Sequence, residues 1–430
     1  MSYLVQNHLK RDFLFIIDIQ NNDILMNITI ITPVFPYPLN SGGAQAQFNM
    51  IDQLRATHKI TLIYIEKSPK EEKFEQELKQ RWPDVRIVVF TFFEQVKSLK
   101  FLYNKAKRAF KLMFMKHSDR FTAERALMPY GVFYTKKLIN FINKTIKEAQ
   151  TDIIQVEFYP CLHMVNYLPQ NIKKIFIHHE IRFIRNERLL SSIRLTKKEE
   201  SLYEKMKAQE IKELNCYDKV VTLTNIDKDI LKKNKVTNNI VCSPAAINSQ
   251  IREYASWKGK ILLLGGYSHK PNVEGLEWFI NEIACKQDLH ADIHIVGSGW
   301  PDKLIDSYKS KCINPIIYHG FVENLYDVAQ GSIMAIPILT GSGMRMKILE
   351  AAAMGLPFIT TSVGVEGLEF MNKESCIIED SPSEWIKSLQ LLCTNEEIRK
   401  TIAINAQNIF KTKYSLKAAI NQREQIYHFI

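Results

Sequence analysis

LLLGGYSHKPNVEGLEWF, residues Leu262–Phe279, runs from an apolar strand through paired glycines into a helix that carries Val273, Leu276, Trp278 and Phe279. The same unit recurs along the chain. Short apolar runs at Ile261–Leu264, Ile293–Val296, Ile316–Tyr318, Ile333–Ile336 and Phe358–Thr360 alternate with helix-like segments. Upstream, Ile28–Ile31, Ile60–Tyr64, Val85–Phe90, Ile153–Val156, Ile175–Ile177 and Val220–Leu223 do the same. That alternation is the pattern of a parallel sheet with crossover helices. The rhythm breaks only at Ser243–Gly259, SPAAINSQIREYASWKG. It predicts two doubly wound, Rossmann-like α/β domains, residues 26–245 and 246–412, with ligands in the cleft beyond the carboxyl ends of the strands.

A chain of 430 residues with 46% hydrophobic and 24% charged residues is globular and too long for one core. Residues 1–25 read as a leader or a misassigned start, because Met26 opens the first strand. Residues 413–430 read as a C-terminal helix whose Leu416, Ala419, Ile420, Ile426 and Tyr427 suit a return to the N-terminal domain. Lys plus Arg (57) exceeds Asp plus Glu (46), a balance that favours anionic partners. The 7 cysteines are scattered without CxxC spacing, so neither a disulfide framework nor a metal site is expected, and a cytoplasmic setting fits. No uncharged run reaches the roughly 20 residues of a membrane-spanning helix.

Three glycine corners carry the candidate chemistry. In TPVFPYPLNSGGAQAQ, Thr32–Gln47, Gly42 and Gly43 open a helix, where backbone amides and the helix dipole favour an anion. An ordinary tight turn capped by Ser41 explains the same residues more simply. In LTGSGMRMKILEAAAMGLP, Leu339–Pro357, the amides of Gly341, Ser342, Gly343 and Met344 precede Arg345 and Lys347. Cations in a first helical turn oppose the dipole, which points to a shared anion such as a phosphate. Glu350, further along, suits the vicinal hydroxyls of a ribose. In the Leu262–Phe279 unit, Gly265 and Gly266 lie at the strand end and Lys270 stands where its ammonium would reach a diphosphate. The corners VGSGW, with Gly297, and YHGFV, with His319 and Phe321, complete the donor-binding set.

The segments LLLGGYSHKPNVEGLEWF, IHIVGSGWP and IIYHGFVENLYDVAQGSIMAIPILTGSGMRMKILEAAAMGLPFITTSVGVEGLEF are similar to the donor domain of the GT-B glycosyltransferases of family four, the group-one retaining enzymes. The N-terminal half resembles them more weakly, through ITPVFPYPLNSGGAQ, TDIIQVEFYP and YDKVVTLTNIDKD. The resemblance implies the GT-B fold. It also implies retaining transfer of a sugar from a nucleotide diphosphate sugar to an acceptor hydroxyl, with no cofactor and no metal. The family's glutamate pair falls at Ser342 and Glu350, so only the second is present. Its loop arginine falls near Gly266 and Tyr267, leaving Arg345, Lys347 and Lys270 to meet the diphosphate. Its histidine at the end of the fourth strand falls at Glu157, which joins those three as a catalytic candidate. In IFIHHEIRF, HHE resembles the family's HD or HN. Neighbouring side chains on an extended chain face opposite ways, so one histidine at most faces the site. His179 and Glu180, with Gly42 and Gly43, form the acceptor or phosphate set.

Val96–Arg120 interleaves lysines with Leu99, Leu102, Phe110 and Met113. A core helix with a basic solvated face accounts for this. A peripheral contact with the inner face of a membrane is the second reading, and it would suit a lipid-linked acceptor. The expected function is therefore glycosyl transfer in cell-surface polysaccharide or glycolipid synthesis. A catalytically silent nucleotide-sugar binder or scaffold, and a hydrolysing nucleotide-sugar epimerase of the same fold, are the alternatives. A nicotinamide dehydrogenase is disfavoured because no GxGxxG follows the first strand. Nothing beyond net charge points to nucleic acid.

Overall fold

The computed structural model describes residues 25–39, 41–66, 72–91, 119–127, 134–245, 247–340 and 344–427. The first domain holds strands β1 (Asn27–Thr32), β2 (Lys59–Glu66), β3 (Arg86–Thr91), β4 (Ile153–Glu157), β5 (Lys173–His178), β6 (Lys219–Thr222) and β7 (Asn239–Cys242). They form one parallel sheet in the order β3-β2-β1-β4-β5-β6-β7. Its helices are α1 (Gly42–Leu54), α2 (Glu72–Arg81), α3 (Asp119–Ala126), α4 (Lys136–Glu148), α5 (Arg182–Leu190), α6 (Lys197–Leu214) and α7 (Asn225–Lys233). The second domain holds β8 (Lys260–Leu264), β9 (Asp292–Val296), β10 (Ile316–Gly320), β11 (Ser332–Ile336), β12 (Phe358–Thr360) and β13 (Ile377–Ile378), all parallel in the order β10-β9-β8-β11-β12-β13. Its helices are α8 (Lys270–Phe279), α9 (Asp302–Lys311), α10 (Leu325–Ala329), α11 (Met346–Ala353), α12 (Ser362–Val365), α13 (Pro382–Thr394) and α14 (Glu396–Ile409). A final helix, α15 (Leu416–Tyr427), packs on the first domain.

The central strands are buried along their whole length, β4 and β11 without a break, as expected of parallel sheets covered on both faces. In each sheet the strand order reverses beside the first strand, between β1 and β4 and between β8 and β11. Those two switch points place the ends of four strands where a ligand would sit. Helix starts are fixed locally: Ser41 Oγ accepts from the Ala44 amide above α1, and Thr196 with Glu199 closes a capping box on α6.

One apolar cluster crosses between the domains, joining Ile30, Phe48 and Ile177 to Leu262, Met334 and Met346. The bidentate pair from Arg188 to Glu366, 2.7 and 2.6 Å, joins α5 to the loop after α12. On α15, Tyr427 reaches Gln155 and Arg423 reaches the Pro244 carbonyl, while the Ile426 carbonyl accepts from Lys219 Nζ at 2.7 Å.

Two features depart from the sequence reading. The short edge strands β7 and β13 were not legible, since β7 buries only Ile240 fully and β13 has 2 residues. Cys285 and Cys312 form a disulfide, contrary to the expected absence of one. They follow separate helices, and Asn314 ties both helix ends together through the Ala284 and Gln287 carbonyls, 2.7 Å each. Among the described residues, no helix is long and apolar enough to cross a membrane. Residues 1–24 and 96–118, which carry the leader and most of the basic stretch, lie outside the described residues.

Helix α8 presses on β11 through Gly275, where an added Cβ would lie 1.9 Å from the Pro337 carbonyl oxygen. Gly275→Ala should therefore lower stability by about 1–3 kcal/mol as the helix is forced off the sheet. Urea unfolding measures this, and an unchanged midpoint would contradict the packing.

Candidate active site

The site is built on the helices that follow the two switch points. Past β11 the chain reaches Arg345, the residue before the first turn of α11. Gly341, Ser342 and Gly343, expected to supply amides, lie outside the described residues. Met344 is half-buried against the apolar cluster between the domains. Facing this helix start is the N-terminus of α1, where an added Cβ on Gly42 would lie 3.2 Å from Met346 Cγ. Two helix N-termini from different domains therefore adjoin, and their dipoles favour an anion between them.

Lys347 is the most constrained cation. Part of its side chain is accessible, but its ammonium is enclosed and donates to Asn272 Oδ1 at 2.7 Å. Burial brings its pKa down from 10.5 to about 8, against the attraction of Glu350. Gly265 makes the enclosure possible. At that position, with φ of +155°, an added Cβ would meet Asn272 Cγ at 2.6 Å and Lys347 Nζ at 2.8 Å. Asn272 completes the corner by donating through Nδ2 to the Gly266 carbonyl at 3.0 Å.

Arg345 gathers charge from both domains. Burial pulls its pKa down, and the carboxylates of Glu366 and Glu180 oppose that shift. Burial raises the pKa of Glu350, and Gln45 Nε2 on α1 donates to its Oε1 at 3.2 Å. The expected ribose ligand thus bridges the domains in this structure.

Lys270 opens α8 and pairs with Glu274 one turn on, at 2.9 Å. Glu274 in turn accepts from Thr340 Oγ1 at 2.7 Å, so Lys270 buttresses the loop before α11. The Gly297 amide donates to the Gly320 carbonyl at 2.7 Å, stitching the ends of β9 and β10. His319 Nε2 lies 2.9 Å from His294 Nδ1, and burial lowers the pKa of both rings. Phe321 beyond them is 68% exposed.

On the first domain the two histidines diverge, as alternation requires. His178 turns inward to Glu210, 3.2 Å away. His179 stacks on Phe158, ring centroids 3.8 Å apart, and its Nε2 lies 2.5 Å from Glu157 Oε2. Glu157 is fully buried behind that imidazole, with its other oxygen on Gln155. It therefore meets the cleft through His179 alone and not as an exposed carboxylate. Gly43 lies against Phe158, an added Cβ falling 3.1 Å from its ring. Glu180 accepts from Arg185 at 3.0 Å and acts electrostatically on Arg345 across the cleft.

Sequence reasoning missed three contributors. Asn272 holds Lys347, Gln45 holds Glu350, and His269 sits before α8 with its pKa lowered by burial, near Lys347 and Glu180. The asparagine and the histidine stand in the quoted loop, but only the folded corner shows what they touch.

Two doubly wound domains facing one cleft at their switch points define the GT-B class of glycosyltransferase folds. Residues 258–395, within the second domain, match the family model described as glycosyl transferases group 1. An uncharacterized glycosyltransferase of Haemophilus influenzae is 26% identical over 280 residues, 61% of this chain and 72% of that protein. An uncharacterized 44.6 kDa protein in the cps region of Klebsiella pneumoniae is 21% identical over 91% of this chain and 97% of its own length. Among solved structures, TarM superposes with a TM-score of 0.66 at 12% identity, covering 95% of this chain and 100% of that one. HepE of Anabaena, solved with UDP-glucose, gives 0.65 at 12% identity over 93% and 98%.

Lys347→Met should raise the melting temperature of the ligand-free protein at pH 7, because a buried ammonium is replaced by an apolar chain of similar length. The lysine's folded pKa of about 8 lies below its ordinary 10.5. Its destabilising effect is therefore full below about 8 and fades as pH climbs toward 10.5. Melting curves across that range check it: the gain of the variant should shrink with rising pH.

Proposed function

We propose that the protein transfers a sugar from a nucleoside diphosphate sugar to an acceptor hydroxyl with retention at the anomeric carbon, the donor lying on the second domain and the acceptor on the first. The observation that carries this reading is the enclosed Lys347 ammonium beside Arg345, at a helix start that faces a second helix start. Withdrawing cations from water is unfavourable unless an anion occupies the same place. A diphosphate fits both the charge and the amide-rich setting. HepE was solved with UDP-glucose, and TarM of S. aureus with UDP and α-GlcNAc-glycerol, which supports a UDP-sugar donor and a glycan-like acceptor. The relative in a cps region supports a role in surface polysaccharide synthesis.

In the reaction, the bond between the anomeric carbon and the phosphate oxygen breaks and negative charge gathers on the leaving diphosphate. Arg345, Lys347 and the dipole of α11 meet that charge more strongly as it develops. No metal is required where cations of the chain already oppose it. The acceptor hydroxyl attacks the face that the diphosphate leaves, and the departing phosphate oxygen takes its proton. Gln45 and Glu350 close the cleft and exclude water that would otherwise hydrolyse the donor. The acceptor is a glycan or a lipid-linked glycan.

Thermal shift against a panel of nucleoside diphosphates and their sugars tests the donor, since only a ligand of the folded form raises stability. Arg345→Ala should lower turnover by about 10² to 10³ with little effect on melting. Glu350→Ala should chiefly weaken donor affinity. Affinity for the nucleoside diphosphate should also decline as pH rises past about 8, where Lys347 sheds its proton. The anomeric configuration of the product, read by proton NMR, decides retention; an inverted product, or no shift with any nucleotide, would overturn the reading.

A further inference from the structure

The first domain contains a line of polar groups running from the crossing helix to the cleft. Tyr427 on α15 donates its hydroxyl to Gln155 Oε1 at 2.5 Å. Gln155 Nε2 donates to Glu157 Oε1 at 2.5 Å, and Glu157 Oε2 lies 2.5 Å from His179 Nε2. We propose that Tyr427, Gln155 and Glu157 are positioning residues that fix the tautomer and orientation of His179, so that the C-terminal helix helps present this imidazole to the acceptor. The role at the acceptor rests on the transferase reading above; the relay itself does not.

The direction of each bond follows from the carboxylate. An ionised Glu157 only accepts, so it takes the amide N–H of Gln155 on one oxygen and the imidazole N–H on the other. That turns the Gln155 carbonyl toward Tyr427, whose hydroxyl then donates. With Nε2–H directed at Glu157, Nδ1 is the ring nitrogen left for an outside partner, where it accepts a hydrogen bond from a substrate hydroxyl. Gln155 and Glu157 stand two apart on β4, so both project from the same face of the central strand. Neither is exposed. Two polar groups in the middle of a sheet are costly to bury unless each is paired, and here each is.

The ring plane is fixed as well. His179 and Phe158 are stacked within 8° of parallel, and Phe158 holds a φ of +63°, a left-handed conformation that a bulky residue rarely adopts. Gly43 also approaches the Phe158 ring closely, an added Cβ falling 3.1 Å from it.

The charged and titratable groups around the pair are few. From α15 come Tyr427 and Arg423; the latter is 4% exposed, shares a small cavity with His179, and acts electrostatically on Glu157. Next to His179 in the chain, Glu180 turns to Arg185 and His178 to Glu210. From α1 and β6 the cavity takes only Ala46, Met50 and Val221.

The test uses the full chain with Tyr427→Phe, Glu157→Gln and the double variant. Tyr427→Phe keeps the ring and removes only the hydroxyl. Imidazole nitrogen-15 shifts of His179 read its tautomer without any turnover. In the wild type the Nε2–H form should dominate, and Glu157→Gln should deplete it, because the carboxylate that takes the Nε2–H is lost. Tyr427→Phe should shift it the same way by less, and the double variant should match Glu157→Gln, since groups acting as a unit are non-additive. Turnover should fall roughly 10-fold in Tyr427→Phe and about 10² in Glu157→Gln, with donor KM held. Unmoved nitrogen-15 shifts in both single variants, or strictly additive losses, would overturn the relay even in an active transferase. Shifts that move as described in a protein that transfers no sugar would uphold the relay and remove the transferase reading instead.

Discussion

A lysine ammonium withdrawn from water is unfavourable by itself, and the second domain is arranged around one. Lys347 reaches into the corner between β8 and β11, where Asn272 accepts from it and Gly265 leaves the space it needs. Any side chain at residue 265 would collide with both partners. The glycine corner, the helix start and the cation are thus a single packing problem, solved where the strand order reverses. The ends of β9 and β10 are drawn to the same edge by the hydrogen bond from Gly297 to Gly320.

The first domain answers this arrangement with groups of its own. Gln45 bonds Glu350, Glu180 acts on Arg345, and Arg188 grips Glu366 in a fork. Each contact crosses between the domains at a place where a charge on the second would otherwise be less well satisfied. An apolar cluster shared by the two halves adds area to these polar contacts. The closed arrangement is therefore held partly by the groups that would bind a substrate.

Most of this architecture was written in local pattern. The apolar runs alternate with helices so regularly that eleven of the strands could be placed, and the break at Ser243–Gly259 marked where one sheet gives way to the next. Arg345 and Lys347 stood out because cations in a first helical turn oppose the dipole, Gly265 because it closes a strand before a helix, and Glu350 because it suits the hydroxyls of a ribose. Legibility ended where a role depended on partners distant in sequence. Glu157 stood as a catalytic candidate where the resemblance places a histidine, and only the fold shows it buried between Gln155 and His179. Lys270 read as a cation reaching for a diphosphate, whereas Glu274 one turn later engages it. Asn272 and Gln45 stand inside the quoted segments, but their importance depends on partners far along the chain, Lys347 and Glu350. The Cys285–Cys312 pair, with its separation of 27 residues, was equally silent.

The return of α15 to the first sheet has a consequence for how the chain is made. Tyr427, Arg423 and the Ile426 carbonyl fill positions against Gln155, Pro244 and Lys219, residues translated long before them. During synthesis the N-terminal half emerges and begins to fold with that face unfilled, although domains commonly fold as units in order of emergence. The half that leaves the ribosome first is the last to be completed.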